Sequence, residues 1–182
     1  MGKTHEKITP NLKEFIEKQK MFFVATAPLS ADGLVNVSPK GWDSLRILDD
    51  HTVAYIDLTG SGIETVAHLK ENQRITILFC AFEGPPQLVR LQGKGEVFEK
   101  DTSEYKDMES LFPNYVGARA IIKVKLERIS DSCGYTVPFY DYKGERDTMV
   151  KWLDNKGPEG LVAYRKEKNS ESLDGLPGIG NA

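Results

Sequence analysis

The chain has 182 residues, 40% of them hydrophobic and 28% charged, a size and balance that describe one globular domain able to fold without disulfides or metal. Lys plus Arg is 24 against 27 for Asp plus Glu, a formal charge of −3, which argues against a protein that must neutralise nucleic-acid phosphates. No run approaches the roughly 20 apolar residues that span a bilayer. The start, Met1-Gly2-Lys3-Thr4-His5-Glu6-Lys7, has neither the apolar core of a secretory signal nor the Ser or Thr that favours myristoylation, and two isolated cysteines, Cys80 and Cys133, make no disulfide framework. A cytoplasmic protein with no membrane or nucleic-acid partner is expected.

Thr9-Pro10-Asn11 opens a helix, with Thr9 as N-cap, Pro10 at the first position and Leu12, Phe15, Ile16 and Gln19 on one stripe. The apolar run Met21 to Ala27 reads as a buried strand, Ser30-Ala31-Asp32-Gly33 as a hairpin turn, and Leu34 to Ser38 as the return strand, broken by Pro39-Lys40-Gly41. Arg46 to Leu48 and Thr52 to Leu58 are further strands. The glycine turn Thr59-Gly60-Ser61-Gly62 leads into a helix over Ile63 to Glu71, closed by Asn72. Alternation at Ile75, Ile77 and Phe79 marks another strand. Leu88 to Phe98 is a long one, with Gly93 and Gly95 predicting a bulge or sharp bend. Asp101-Thr102-Ser103 caps a helix to about Leu111, and Ile122, Val124 and Leu126 alternate with Lys123, Lys125 and Glu127 as a strand with one buried face. Glu145 to Leu153 is a helix, after which Gly, Pro, Ser and Asn dominate.

Six or seven strands, joined mostly as hairpins, with three or four helices, predict a mainly β (α+β) fold: a small antiparallel barrel with peripheral helices. The chain divides into a barrel domain over 1–157, N-terminal helix included, and an extension over 158–182 that packs on the barrel or on a partner.

Catalytic motifs are missing: there is no Gly-x-Ser-x-Gly elbow, Walker loop or His-Glu-x-x-His, and His5, His51 and His68 share no metal-ligand spacing. Two polar loops at strand ends draw notice instead. Thr59-Gly60-Ser61-Gly62 offers backbone N–H groups, hydroxyls and the start of a helix to an anion, against the alternative of a plain strand-to-helix turn. Asn36-Val37-Ser38-Pro39-Lys40-Gly41 ends a strand in a hydroxyl and a lysine, which can serve a phosphate or simply face water. Arg90 and Gln92 share a strand face that could contact a ligand or solvent. His68 reads as a partner of helix polar groups.

The order of helix, apolar strand, Asp32-Gly33 hairpin, Asn36-Val37-Ser38-Pro39-Lys40, then Tyr55 to Thr59, then a helix ending in Glu71-Asn72-Gln73-Arg74-Ile75, resembles the pyridoxamine 5'-phosphate oxidase-related family of FMN-binding split barrels across about residues 10 to 130. The strings Leu58-Thr59-Gly60-Ser61-Gly62-Ile63-Glu64-Thr65, Ala81-Phe82-Glu83-Gly84-Pro85-Pro86 and Arg90-Leu91-Gln92-Gly93-Lys94-Gly95 are similar to one branch of it. The resemblance implies a split β-barrel homodimer with two flavin mononucleotide (FMN) sites at the interface. Cofactor contacts are expected from Val37, Ser38, Pro39, Lys40, Gly41, Thr59, Gly60, Ser61, Gly62, Thr65 and Gln92. Lys40 falls at the family's phosphate-contacting lysine, Thr59 at its threonine, and Val35 to Lys40 along the flavin ring.

The departures carry equal information. Glu64 and Thr65 occupy the positions of the family's Arg-Lys pair, so the phosphate is expected to lean on Lys40, Thr59, Ser61, Thr65, backbone amides or another basic residue. The later helix has Tyr105 but no arginine four residues on, and Arg165-Lys166-Glu167 lacks the family's C-terminal histidine. Efficient oxidation of pyridoxamine phosphate is therefore not expected. Three functions remain open: an FMN-dependent oxidoreductase taking a small-molecule substrate or electron donor, a non-catalytic flavin carrier or redox sensor, and a cofactor-free interaction module. Related barrels bind a deazaflavin or haem, and the matched strands offer haem no axial histidine.

Overall fold

The structure is a computed structural model that describes residues 2–180; Met1, on which the N-terminal reading rests in part, and residues 181–182 of the extension lie outside it. Eight strands and four helices run β1 (Lys3–His5), α1 (Pro10–Lys18), β2 (Met21–Thr26), β3 (Asn36–Gly41), β4 (Leu45–Asp49), β5 (Thr52–Leu58), α2 (Glu64–Asn72), β6 (Arg74–Cys80), β7 (Leu88–Glu99), α3 (Ser103–Glu109), β8 (Ala118–Ser132) and α4 (Thr148–Lys168). All pairings are antiparallel, in the order β3-β2-β6-β7-β8-β5-β4, with β1 beside β8. The sheet curls on itself as an antiparallel split barrel with peripheral helices, as the hairpin pattern predicts. The three-residue β1 left no periodicity to read.

Alternation builds the barrel interior. Phe22 and Val24 of β2, Val53 and Tyr55 of β5, Ile75, Ile77 and Phe79 of β6, Val89 and Leu91 of β7, and Ile122 and Val124 of β8 form one buried cluster. Leu12 and Ile16 of α1 and Val66 and Leu69 of α2 close it. A smaller cluster fills the opposite face of β5 and β8, where Ala54, Ile56, Ala118 and Ile121 meet Tyr105 and Phe112. That second layer buries both faces of β8 at its start; further along, buried Ile122, Val124 and Leu126 alternate with the more open Lys123, Lys125 and Glu127, as the sequence pattern predicts.

Three boundaries differ from the sequence reading. Pro39, Lys40 and Gly41 continue β3 instead of breaking it, paired with Phe23, Phe22 and Met21. β3 is the sheet edge, and there a proline's missing donor can face away from the ladder at no cost. The last helix extends far past Leu153: it runs on to Lys168 through a break at Gly157, whose φ of 63° places it in the left-handed region, and Pro158 restarts it. The first residues of the expected return strand, Leu34 and Val35, precede β3.

Gly93 behaves as its position suggests. β7 shifts register against β8 between Gln92 and Gly93, and a Cβ at Gly93 would lie 2.0 Å from the Lys125 carbonyl oxygen. Gly93→Ala is expected to cost at least about 2 kcal/mol of stability in urea denaturation, because backbone on both strands must move.

Candidate functional site

The sheet's β3 edge, the loop after β5 and the segment leading into α4 enclose a cleft of about 840 Å³. One wall holds Ser38, Pro39, Lys40 and Gly41; the floor holds Thr59, Gly60, Ser61, Gly62 and Thr65; Tyr142, Met149, Trp152 and Tyr164 form the far wall. Nine of the expected contact residues thus share one cavity. Val37 and Gln92 do not join them. Val37 lies outside the cleft lining and is 62% exposed. Gln92 lines a separate hollow of about 400 Å³ with Arg90 and Arg128, its amide 3.5 Å from the Thr76 hydroxyl.

Beneath the cleft sits a charged cluster. Asp57, fully buried at the end of β5, accepts from Lys40 Nζ at 2.8 Å and from Arg119 Nε at 2.7 Å. Arg119 reaches it because β8 bulges there: Asp57 pairs with Ala120 and Leu58 with Ala118, which leaves Arg119 as the extra residue. The rest of the Arg119 guanidinium holds the glycine loop. It donates to the Gly62 carbonyl at 2.8 Å, the Gly60 carbonyl at 3.5 Å and Asn169 Oδ1 at 2.8 Å. Asn169, buried after α4, returns a bond to the Gly60 carbonyl at 2.9 Å. Thr59 is spent locally, donating to the Gly117 carbonyl and accepting from Arg165 Nε at 2.8 Å.

Asp57, Arg119, Asn169 and Arg165 were not among the sequence candidates for the site. A signal for Asp57 and Arg119 existed: a lone charge inside an apolar strand has to be paired when it is buried. Asn169 and Arg165 had none, since their place depends on how α4 folds back over the loop.

The electrostatics favour an anion. Lys20, Lys40, Arg119 and Arg146 line the cleft against Glu64 and Glu145, with Asp57 paired to Lys40 and Arg119 beneath it and Arg165 bonded to Thr59 behind the loop. Among the described residues Arg165 bonds neutral oxygens alone, of Thr59 and Ala118, and burial, then Arg119, pull its pKa below the usual value. Ile63 precedes α2 without a side-chain cap, so the first-turn amides are left for another acceptor. Glu64 Oε2 curls over Gly62, where a Cβ would come within 2.7 Å of it.

Burial by itself raises the pKa of Asp57, but Arg119 and then Lys40 outweigh it and bring it from 3.8 to about 2. The folded value lies below the unfolded one. Its stabilisation, on the order of 2 kcal/mol, is therefore complete above the unfolded value and is lost as pH falls toward the folded one. Acid unfolding followed by circular dichroism should show this loss in the native chain and not in Asp57→Asn. Asp57→Ala, which strands two cations, is expected to cost about 3–5 kcal/mol.

Comparison with known proteins agrees with the geometry. The profile of the family described as pyridoxamine 5'-phosphate oxidase matches residues 8–133. A relative in Aspergillus flavus, the pyridoxamine 5'-phosphate oxidase family protein ustO, is 36% identical and aligns over 98% of this chain and 78% of its own. Among solved structures, HupZ of Group A Streptococcus is similar at a TM-score of 0.53 and 27% identity, over 69% of this chain and 99% of that one. A pyridoxamine 5'-phosphate oxidase-related, FMN binding protein of Nostoc punctiforme shares the fold at a TM-score of 0.50 and 10% identity, over 68% and 83%. With the split barrel and this match over most of its length, the chain belongs to the pyridoxamine 5'-phosphate oxidase family.

Proposed function

We propose that this chain binds flavin mononucleotide in the cleft and works as a flavin-dependent oxidoreductase on a small-molecule substrate or electron donor. The observation that carries the reading is the floor of the cleft: an uncapped helix start and a glycine loop, tethered by the buried Arg119 and flanked by Lys40 and Arg165. Such a floor suits a phosphate, which takes several N–H donors at once. The residues present fit the group. Ser61, Gly62 and Thr65 would hold its phosphate end, while Ser38 to Gly41 and the apolar far wall would flank its ring. When bound, a flavin supplies the hydride or electron chemistry. The chain's part is to bind, orient and exclude water.

A second reading, a flavin carrier or redox sensor, draws on the side chains themselves. Lys40 and Arg119 are committed to Asp57, and among the described residues no histidine lines the cleft. Steady oxidation of a reduced nicotinamide with an acceptor would favour the enzyme. Pyridoxamine phosphate is not the proposed substrate. Glu109 stands four residues after Tyr105, Glu167 stands where a histidine would be needed, and Arg165 is occupied with Thr59.

We assign the homodimer interface to the sheet's β3 edge, where Leu34, Val35 and Val37 are exposed. Among the described residues no helix is long and apolar enough to cross a membrane. The free thiols of Cys80 and Cys133 accord with a reducing, cytoplasmic setting.

The test is the absorption spectrum of the purified protein, with mass spectrometry of what denaturation releases: flavin mononucleotide near one per chain is expected. A colourless protein that takes up no added flavin would defeat the proposal. Glu64→Gln should tighten flavin mononucleotide about threefold, by removing a carboxylate beside the phosphate, and leave riboflavin unchanged. Val37→Asp should shift sedimentation toward a monomer.

A further inference from the structure

A chain of hydrogen bonds runs from the cleft to His68, whose far side faces the tail beyond α4. Ser38 Oγ donates to Asn36 Oδ1 at 3.1 Å. Asn36 Nδ2 donates to Thr65 Oγ1 at 2.9 Å and to Thr26 Oγ1 at 3.2 Å. Thr26 Oγ1 lies 3.0 Å from Nδ1 of His68, a side chain with no exposed surface. His68 Nε2 has no hydrogen-bond partner, and the atom facing it, at 3.5 Å, is Oδ2 of Asp174. Asp174 is held there by the backbone N–H of Leu34, 3.1 Å from its Oδ1. Ser38 and Thr65 line the cleft; Asp174 belongs to the tail beyond α4.

Each link in such a chain has two polarities, and one end decides between them. A buried Nε2 lone pair facing a carboxylate would be repelled, so Nε2 carries the proton and Nδ1 is the acceptor. Thr26 must then donate to Nδ1. With its proton used, Thr26 can only accept from Asn36, which turns the Asn36 NH2 toward both threonines and its carbonyl toward Ser38. Thr65, already accepting from Asn36, keeps its proton for the cleft. Ser38, already donating, keeps lone pairs.

We propose that Asp174 of the tail sets, through His68, Thr26 and Asn36, the hydrogen-bond polarity of the cleft: Thr65 is a donor toward a ligand oxygen and Ser38 an acceptor toward a ligand N–H. Asp174 is a positioning residue that never touches the ligand. Its carboxylate selects against ligands with the opposite arrangement, because a mismatch leaves a buried polar group unpaired. The choice of ligand rests on the flavin reading above; the polarity itself does not.

The test has two arms, both on the full-length chain. In the first, nitrogen-labelled histidine is observed by NMR without flavin, the His68 signal being assigned by its loss in His68→Gln. Nε2 is expected to be protonated and Nδ1 bare, and Asp174→Asn and Asp174→Ala should both move the proton toward Nδ1. In the second, Thr65→Val should weaken flavin mononucleotide about tenfold and Thr65→Ser should leave it within about twofold, since only the valine loses the donor. Asp174→Ala should weaken it similarly and add little on top of Thr65→Val. A proton on Nδ1 in the native chain, a tautomer indifferent to both Asp174 variants, or additive losses would overturn the proposal. A chain that binds no flavin would defeat the functional reading, and the NMR arm would still decide the polarity.

Discussion

The buried carboxylate of Asp57 is the constraint on which the cleft depends. A charge in a barrel wall must be paired, and pairing Asp57 draws in Lys40 from β3 and Arg119 from a bulge in β8. Arg119 has more donors than Asp57 has room for, and the surplus fastens Gly60, Gly62 and Asn169. One carboxylate thereby ties the sheet edge, the glycine loop and the C-terminal segment into one unit. Its stabilising worth is modest, because desolvation offsets much of the attraction; its effect lies in fixing geometry. The loop carbonyls of Gly60 and Gly62 are thereby tethered, the kind of preorganisation that would lower the ordering cost of binding the proposed phosphate.

The chain beyond residue 133 supplies what the barrel lacks. The family match ends at residue 133, whereas the far wall of the cleft, Arg165, Asn169 and Asp174 all come later. Ile179 returns into the main core, Gly178 lies against Ile63, and the Lys70 ammonium bonds the Gly178 carbonyl, so the tail is anchored where α2 begins and along its flank. Glu64 and Thr65 leave the helix start without the family's basic pair, and Arg165 brings a cation to the same loop from the opposite direction.

Much of this was legible from local pattern. Thr9-Pro10 set the start of α1, alternation at Ile75, Ile77 and Phe79 gave β6, and Gly93 marked the register shift between β7 and β8, where Glu127 of β8 is the extra residue. The two polar loops that converge on the cleft drew notice as a pair, since hydroxyls, glycines and a lysine at two strand ends suit an anion together, whereas each alone reads equally well as a turn or a solvated loop. What escaped notice was set by distant contacts. Pro39 reads as a breaker unless the strand is known to be an edge, and Gly157-Pro158 reads as an end unless the chain is known to resume as helix. Arg165 and Asp174 look like ordinary surface charges until α4 folds back. Gln92 was drawn to the site by its neighbouring string and lies in a different hollow of the same chain.

The most direct measurement is a crystal structure of the chain with flavin mononucleotide bound. The account predicts phosphate oxygens within hydrogen-bond distance of the amides between Gly60 and Thr65 and of the Thr65 hydroxyl, with the Asp57–Arg119 pair unchanged beneath them. A phosphate seated elsewhere, such as the hollow of Arg90 and Arg128, or a loop that must release Arg119 to accept it, would contradict the account.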